Sequence, residues 1–257
     1  MKAIVYSARD IAGTNIAEAL THRGFEATEA RFEAHSVFNR GDWDLIRTQS
    51  ELVYAEQINS LNYDEIVFAS RHRAASGQPT LTAHVCGNFG AADLGGKDGE
   101  LSVASANTMC NIFREIAKYD GEHAVSLECT HHGPLISVPH CWIELGSDER
   151  YWSDEKVAEF LADCIIKGID SREVTPSAIG IGGNHYCSVF SKHEGEHAFG
   201  HILPKYAQKH LNKKMLEQMI NKTSPEPRFI VIDKKGIAKQ SEVRKLCEET
   251  GKEVIVL

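Results

Sequence analysis

Apolar positions along the chain fall into two kinds of pattern. Short continuous apolar runs lie at 2–7 (KAIVYS), 64–70 (DEIVFAS), 80–85 (TLTAHV), 123–127 (HAVSL), 139–145 (PHCWIEL), 178–181 (AIGI), 228–232 (RFIVI) and 253–257 (EVIVL). Bounded by polar or glycine-rich stretches, these runs predict buried strands. Between them the spacing turns helical. Ile11, Ile16, Ala19 and Leu20 form one face that stops at Gly24, and Met109, Ile112, Phe113 and Ile116 form another within 105–119. Further helices are expected at 153–167 with Ser153 as cap, at 204–220 opened by Pro204, and at 241–250. Strands alternating with helices predict an α/β fold, a three-layer α/β/α architecture with a mostly parallel or mixed sheet. One domain is expected over 1–257, with Pro225-Glu226-Pro227 as a linker inside it.

Composition changes this picture at two points. Hydrophobic residues make up 42% of the 257 positions, enough for a sizeable core, and no apolar run approaches the roughly 18 residues of a membrane span. The start, MKAIVYSARD, lacks the apolar centre of a signal peptide, and the seven scattered cysteines contain no C-x-x-C pair. A cytoplasmic protein without a thiolate zinc knuckle is the expectation. The net charge of −8 is unevenly spread: residues 202–246 hold 11 Lys+Arg against 4 Asp+Glu, the remainder 17 against 32. Such asymmetry suits a surface facing a polyanion, with Lys205, Lys209, Lys213 and Lys214 as its contacts, although a solvated helix face looks the same in sequence. Nucleotide motifs are absent. No G-x-G-x-x-G follows the first strand, and Gly96-Lys97 has Ala91 and Asp98 where a phosphate loop needs glycine and Ser or Thr.

Chemistry concentrates at 126–134, SLECTHHGP, where a carboxylate, a thiol, a hydroxyl and two imidazoles meet at a strand end. Three strand ends deliver histidines into polar or glycine-rich loops: His84, the pair His131 and His132, and His185. Any one alone would be an ordinary core or surface residue. Together with Glu128 they suit either zinc with an open water position or general acid–base work on an ester. The neighbouring Gly87, Asn88, Gly133 and Gly183 would let a backbone approach a substrate closely and offer amides to an oxyanion. Cys129 beside His131 is read as an incidental small residue rather than a nucleophile. His193-Glu194-Gly195-Glu196-His197 matches H-E-x-x-H, but Gly195 weakens the helix that motif needs. Leu203 also stands where an extended zinc-protease pattern has its third histidine.

Taken together with the segments around them, these residues make the sequence resemble the D-aminoacyl-tRNA deacylases of archaeal and plant type. SARDIAGTNI at 7–16, AHVCGNFG at 83–90, LECTHHGP at 127–134, GSDERYW at 146–152, GGNHY at 182–186 and GHILPKY at 200–206 carry the resemblance. It departs at Cys187-Ser188, where many relatives have Ala-Pro. The resemblance implies a phosphorylase/hydrolase-like fold, hydrolysis of D-amino acids from tRNA, and zinc, for which His84, His131 and His185 are the expected ligands. Aminoacyl-tRNA is then the expected partner, and a monomer the expected state. The rival readings are a zinc peptidase or amidase, and an RNA-binding protein without catalysis.

Overall fold

The computed structural model describes residues 1–257. The chain opens with β1 (Lys2–Ser7), α1 (Ile11–Thr21), β2 (Glu26–Phe32), β3 (His35–Arg40) and β4 (Trp43–Thr48). Next come β5 (Ile66–Arg73), β6 (Thr80–His84), β7 (Ala104–Ser105), α2 (Ala106–Ile116), β8 (Ala124–Leu127) and β9 (His140–Ser147). The remainder holds α3 (Glu149–Trp152), α4 (Glu155–Asp170), β10 (Ser177–Ile181), α5 (Ser188–His193) and β11 (Ala198–Leu203). Finally α6 (Lys213–Asn221), β12 (Thr223–Ser224), β13 (Phe229–Ile232), α7 (Gln240–Glu248) and β14 (Glu253–Val256) complete it.

β9 is the spine of a mixed, ten-stranded sheet, and all eight of its residues are buried. Along one edge it pairs in parallel with β5 over its whole length. Its other edge takes β6 antiparallel and, at His140, the start of β7, so the sheet branches there. β8 joins β6 in parallel and thus also runs against β9. This opposition matters for the site: the end of β6, at His84, meets the middle of β9, at Trp142. A second sheet, in the order β11-β10-β13-β14, is wholly parallel. α2 touches both sheets, and Phe199, Ile202 and Val231 of the small one share an apolar core with Ile4, Leu81 and Ile143 of the large one. α1 and α4 pack on the same core, while α6 and α7 cover the other side of the small sheet through Met215, Leu216 and Val243. The architecture is mixed α/β, as the alternating pattern predicts.

The departures from the sequence reading have local causes. The β2–β3–β4 meander was not expected, because β2 (EATEARF) is exposed along nearly its whole length and carries no buried stripe. β11 also escaped notice, lying in the shadow of the H-E-x-x-H match. The helix expected at 204–220 is broken: Lys205–His210 forms a 3-10 segment, and Asn212 then caps α6 by accepting from the Met215 amide at 3.0 Å. Ser153 closes α3, and it is Asp154 that caps α4, accepting from the amides of Lys156 and Val157.

Two buried histidines brace the strands behind the site. The His140 Nδ1–H donates to Val103 O at 2.7 Å, and its Nε2 accepts from the Cys86 amide at 3.2 Å. The His201 Nε2–H donates to Ser102 O at 3.0 Å, and its Nδ1 accepts from the Thr130 hydroxyl at 3.1 Å. Every ring nitrogen is satisfied in the neutral form. Burial holds His140 down at about 3 and His201 at about 4. Unfolded, both take a proton near 6.5, so the native state loses stability as pH falls from about 6.5 toward these values, by on the order of 3 kcal/mol per histidine. Urea unfolding at pH 7, 6 and 5 should show this loss. His201→Gln should unfold with about one proton less uptake than the wild type; an unchanged pH slope would contradict the assignment.

Candidate active site

Two carboxylates form the buried base of the site. Glu144 is the fifth residue of the otherwise largely apolar β9, and Glu128 directly follows β8; their side chains are 4% and 0% exposed. Between them His72, near the end of β5, places Nδ1 3.0 Å from Glu128 Oε1 and 3.3 Å from Glu144 Oε2. The His72 Nε2–H donates to the Tyr186 hydroxyl at 2.9 Å. Burial alone would deprotonate this ring, but the two carboxylates override it and lift His72 to about 11. Burial likewise opposes ionisation of the carboxylates. The imidazoles of His185 and His72 nevertheless hold Glu128 well below the usual range, and that of His72 does the same for Glu144. Neither oxygen of Glu128 makes an aligned hydrogen bond, although His185 Nε2 lies at 3.2 Å and His131 Nε2 at 3.5 Å.

Around this base the other imidazoles crowd together. Ring centroids of His84 and His131 are 4.3 Å apart, as are those of His131 and His132, and His185 is 4.6 Å from His131. A backbone carbonyl fixes the tautomer of three of them. Nδ1–H donates to Val85 O in His84 (3.2 Å), to Cys129 O in His131 (2.8 Å) and to Gly133 O in His132 (2.5 Å). Each therefore presents a lone pair on Nε2. Burial, then the neighbouring rings His132 and His84, keeps His131 well below its ordinary value, and burial with His84 takes His132 down to about 4. His185 is the opposite case: the Cys129 sulfur and Glu128 raise it to about 10, despite partial burial.

These donors fit a divalent metal. The Nε2 of His84 is buried without a hydrogen bond and lies 3.6 Å from Glu144 Oε2, and a lone pair facing a carboxylate needs a proton or a cation between them. His84, His131 and His132 bring one ligand atom each within 4.8 Å of one another, and Cys129, His131 and His185 form a second such set. Nδ1 anchoring to carbonyls is the usual support for metal-binding imidazoles. The expected trio of His84, His131 and His185 is divided between these sets, with His131 common to both.

A cavity of about 410 Å³ opens on this cluster, lined by His72, His131, His132, His185, Glu144 and Trp142 among others. The five expected catalytic residues, His84, Glu128, His131, His132 and His185, thus lie in one cluster. The expected glycines play a different part. The Gly87 amide donates to His132 O at 2.9 Å, holding His132 in a left-handed backbone (φ 42°), and the Gly133 amide donates to Leu94 O at 2.9 Å. A Cβ on Gly87 would come within 2.8 Å of the Leu101 Cα, and one on Gly133 within 2.2 Å of the Gly96 amide nitrogen. Close chain packing, with both amides already engaged, explains these two positions. Asn88 is likewise engaged, its Nδ2 donating to Gly95 O at 3.0 Å, while Gly183 O accepts from the Lys205 amide at 2.9 Å, beside His185. Lys209 and Lys214 flank His210 in a separate hollow, and Lys213 borders a groove beside α7.

Sequence reasoning missed His72, Glu144 and Tyr186. Arg71-His72-Arg73 ends a predicted strand, so the argument used for His84 applies to it equally; a lone carboxylate within PHCWIEL was the signal for Glu144. H-E-x-x-H does not assemble. His193 ends α5 and pairs with Glu196 at 3.0 Å, the ring of His197 packs 4.8 Å from that of Phe229, and Glu194 turns inward to accept from the Phe199 amide at 3.2 Å.

Comparison with known proteins agrees with the residues. A family model described as D-aminoacyl-tRNA deacylase matches residues 59–255. A D-aminoacyl-tRNA deacylase of Pyrococcus horikoshii is 36% identical, covering 99% of this chain and 97% of its own, and one of Thermococcus onnurineus is 35% identical with 99% of both chains covered. A crystal structure of a conserved protein of unknown function superposes with a TM-score of 0.90 at 31% identity, over 100% of this chain and 95% of that one. Matched over most of its length by the family model and end to end by these relatives, the chain belongs to the D-aminoacyl-tRNA deacylase family.

Proposed function

We propose that the protein hydrolyses the ester joining a D-amino acid to the terminal ribose of tRNA. One observation carries the reading: three imidazoles, each anchored through Nδ1, turn their lone pairs together beside a cavity that also holds an ionised carboxylate and a cationic histidine. Water attacks the ester carbonyl and gives a proton to Glu144, which lines the cavity. The bond from the acyl carbon to the ribose oxygen breaks, and that oxygen takes a proton from His185, charged at neutral pH. Proton transfer from Glu144 to His185 through cavity water closes the cycle. Glu128, buried against His72, His131 and His185, orients these rings. His84, His131 and His132 would hold zinc, which supplies Lewis-acid chemistry: a more acidic water and a polarised carbonyl. Lys205, Lys209, Lys213 and Lys214 meet phosphates of the tRNA body in the cytoplasm.

A peptidase reading has less support, since its motif does not assemble. Simple RNA binding leaves two buried carboxylates and five convergent histidines unexplained.

Steady-state deacylation of D-tyrosyl-tRNA separates the roles. His132→Ala should lower kcat on the order of 100-fold while the salt dependence of binding stays put. Lys213→Glu with Lys214→Glu should raise KM, spare kcat and flatten the salt slope, because phosphate contacts exist in ground and transition states alike. Exchange of these two outcomes would overturn the division. Metal content gives a second check. The purified protein should carry zinc, a chelator should abolish hydrolysis, and His132→Ala should lose bound zinc where Cys129→Ser retains it. Retention by His132→Ala and loss by Cys129→Ser would assign the metal to the other donor set.

A further inference from the structure

The cavity has a second, cationic wall that the chemistry above does not use. Arg9 from the loop after β1, and Arg71 and Arg73 from the end of β5, line the same cavity as His131, His132 and His185. None of the three makes an ion pair with any carboxylate of the chain. Asp10, the nearest acid by position, is already engaged. Its Oδ1 accepts from the Gly13 amide at 2.9 Å, and its Oδ2 accepts from the Arg71 amide at 2.8 Å and the Ser70 hydroxyl at 3.2 Å. Its bonds fix the backbone on which Arg71 stands, and although Asp10 feels the charge of Arg71 and Glu51 also lines the cavity, neither carboxylate pairs with a guanidinium.

Arg71 is also held in place. Its Nη1 donates to Arg9 O at 2.7 Å, and its guanidinium carbon lies 5.5 Å from the centre of the Trp152 ring. One of its N–H donors is engaged in this way, so most of the planar fork remains for a ligand. An oriented, unpaired guanidinium with two more cations around one cavity is a poor arrangement for an empty site, because like charges repel. It is a good one for a tetrahedral anion with several acceptor oxygens.

We propose that Arg9, Arg71 and Arg73 bind the phosphodiester that joins the terminal adenosine of tRNA to the nucleotide before it. The inference rests on the deacylase reading above and extends it to one group of the substrate. Within the ester the carboxyl of the amino acid is uncharged, so the aminoacyl part offers the arginines no anion. The first anion along the substrate is the 5′-phosphate of the ribose that carries the ester, one sugar away from the bond that breaks. Lys209, Lys213 and Lys214 do not line this cavity, and its cationic His72 and His185 are engaged with Glu128, which leaves the arginines for the phosphate. The three guanidiniums thus set the register of the terminal nucleotide, and the lysines hold the body of the tRNA.

Three substrates make the test: D-tyrosyl-tRNA, D-tyrosyl ester on the 3′-oxygen of 5′-AMP, and the same ester on adenosine. Arg71→Ala and the double variant Arg9→Ala with Arg73→Ala, the latter at two exposed side chains, are compared with the wild type; circular dichroism confirms their folding. The expected result is a rise in KM on the order of tenfold to a hundredfold for the two phosphate-bearing substrates. The loss on the adenosine ester should be at least tenfold smaller. Arg71→Lys should recover only part of the loss, since an ammonium keeps the charge without the fork. Equal losses on all three esters would overturn the proposal and assign the arginines to the amino acid or its released carboxylate. Calorimetric binding of 5′-AMP against adenosine keeps the two readings apart. If the wild type hydrolyses none of the esters, the deacylase reading fails. The phosphate site still stands if AMP binds at least tenfold more tightly than adenosine and Arg71→Ala removes the difference, and it falls if the two bind alike.

Discussion

Glu128 and Glu144 are ionised carboxylates with almost no exposed surface, and both lean on the single ring of His72. Taking two such charges out of water costs several kcal/mol each unless cations and hydrogen bonds replace the lost hydration. His72 supplies the cation, and the pair in return holds its proton to about pH 11. The contribution of His72 is complete below its unfolded value near 6.5 and fades as pH rises toward 11. That of the carboxylates is present above about 4.5 and lost as pH falls through their depressed native values. The sheet is arranged around this pairing. A parallel neighbour on one edge of β9 brings His72 beside Gly146, an antiparallel neighbour on the other brings Thr82 beside Glu144 and His84 beside Trp142, and Glu128 directly follows β8.

That base sorts the remaining imidazoles by charge. His185, in contact with Glu128 and partly open to solvent, keeps a proton and can serve as an acid. His131 and His132, crowded among other rings, stay neutral and offer lone pairs. Proton-bearing and lone-pair-bearing imidazoles are thus separated by burial and by contact with a carboxylate. Cationic arginines stand at another wall, tied to the loop between β1 and α1 by Asp10. The arginines and the imidazoles therefore line one cavity, with Arg71 and Arg73 flanking His72 on β5.

Much of this was legible in the chain itself, and what was not has a physical reason. Buried strands such as 2–7 and 139–145 announce themselves because both faces are apolar, and the strand-end histidines repeat often enough to point at one cavity. β2 gave no such signal, since a strand exposed on both faces reads as loop. His72 sits between two arginines and resembles solvated surface; only its pairing across the sheet with Gly146, 74 positions away, makes it buried. Glu144 was hidden by the apolar company of β9. Spacing could not divide the metal donors either, because whether His132 or His185 joins His131 depends on carbonyls that anchor the rings, and those are contacts of the folded loop. The basic segment showed in composition, whereas the arginines of the cavity come from the loop after β1 and the end of β5, some 60 positions apart, and meet only in the fold.

Nitrogen-15 spectra of the histidine rings, recorded on metal-free protein from pH 4 to pH 9, test the central pairing most directly. His72 should stay doubly protonated through pH 9 while His132 stays neutral down to about pH 4, its proton on Nδ1. In Glu128→Gln the signal of His72 should begin to titrate within the range. A wild-type His72 that loses its proton near pH 6.5 would mean that the carboxylates do not hold it, and would contradict the account.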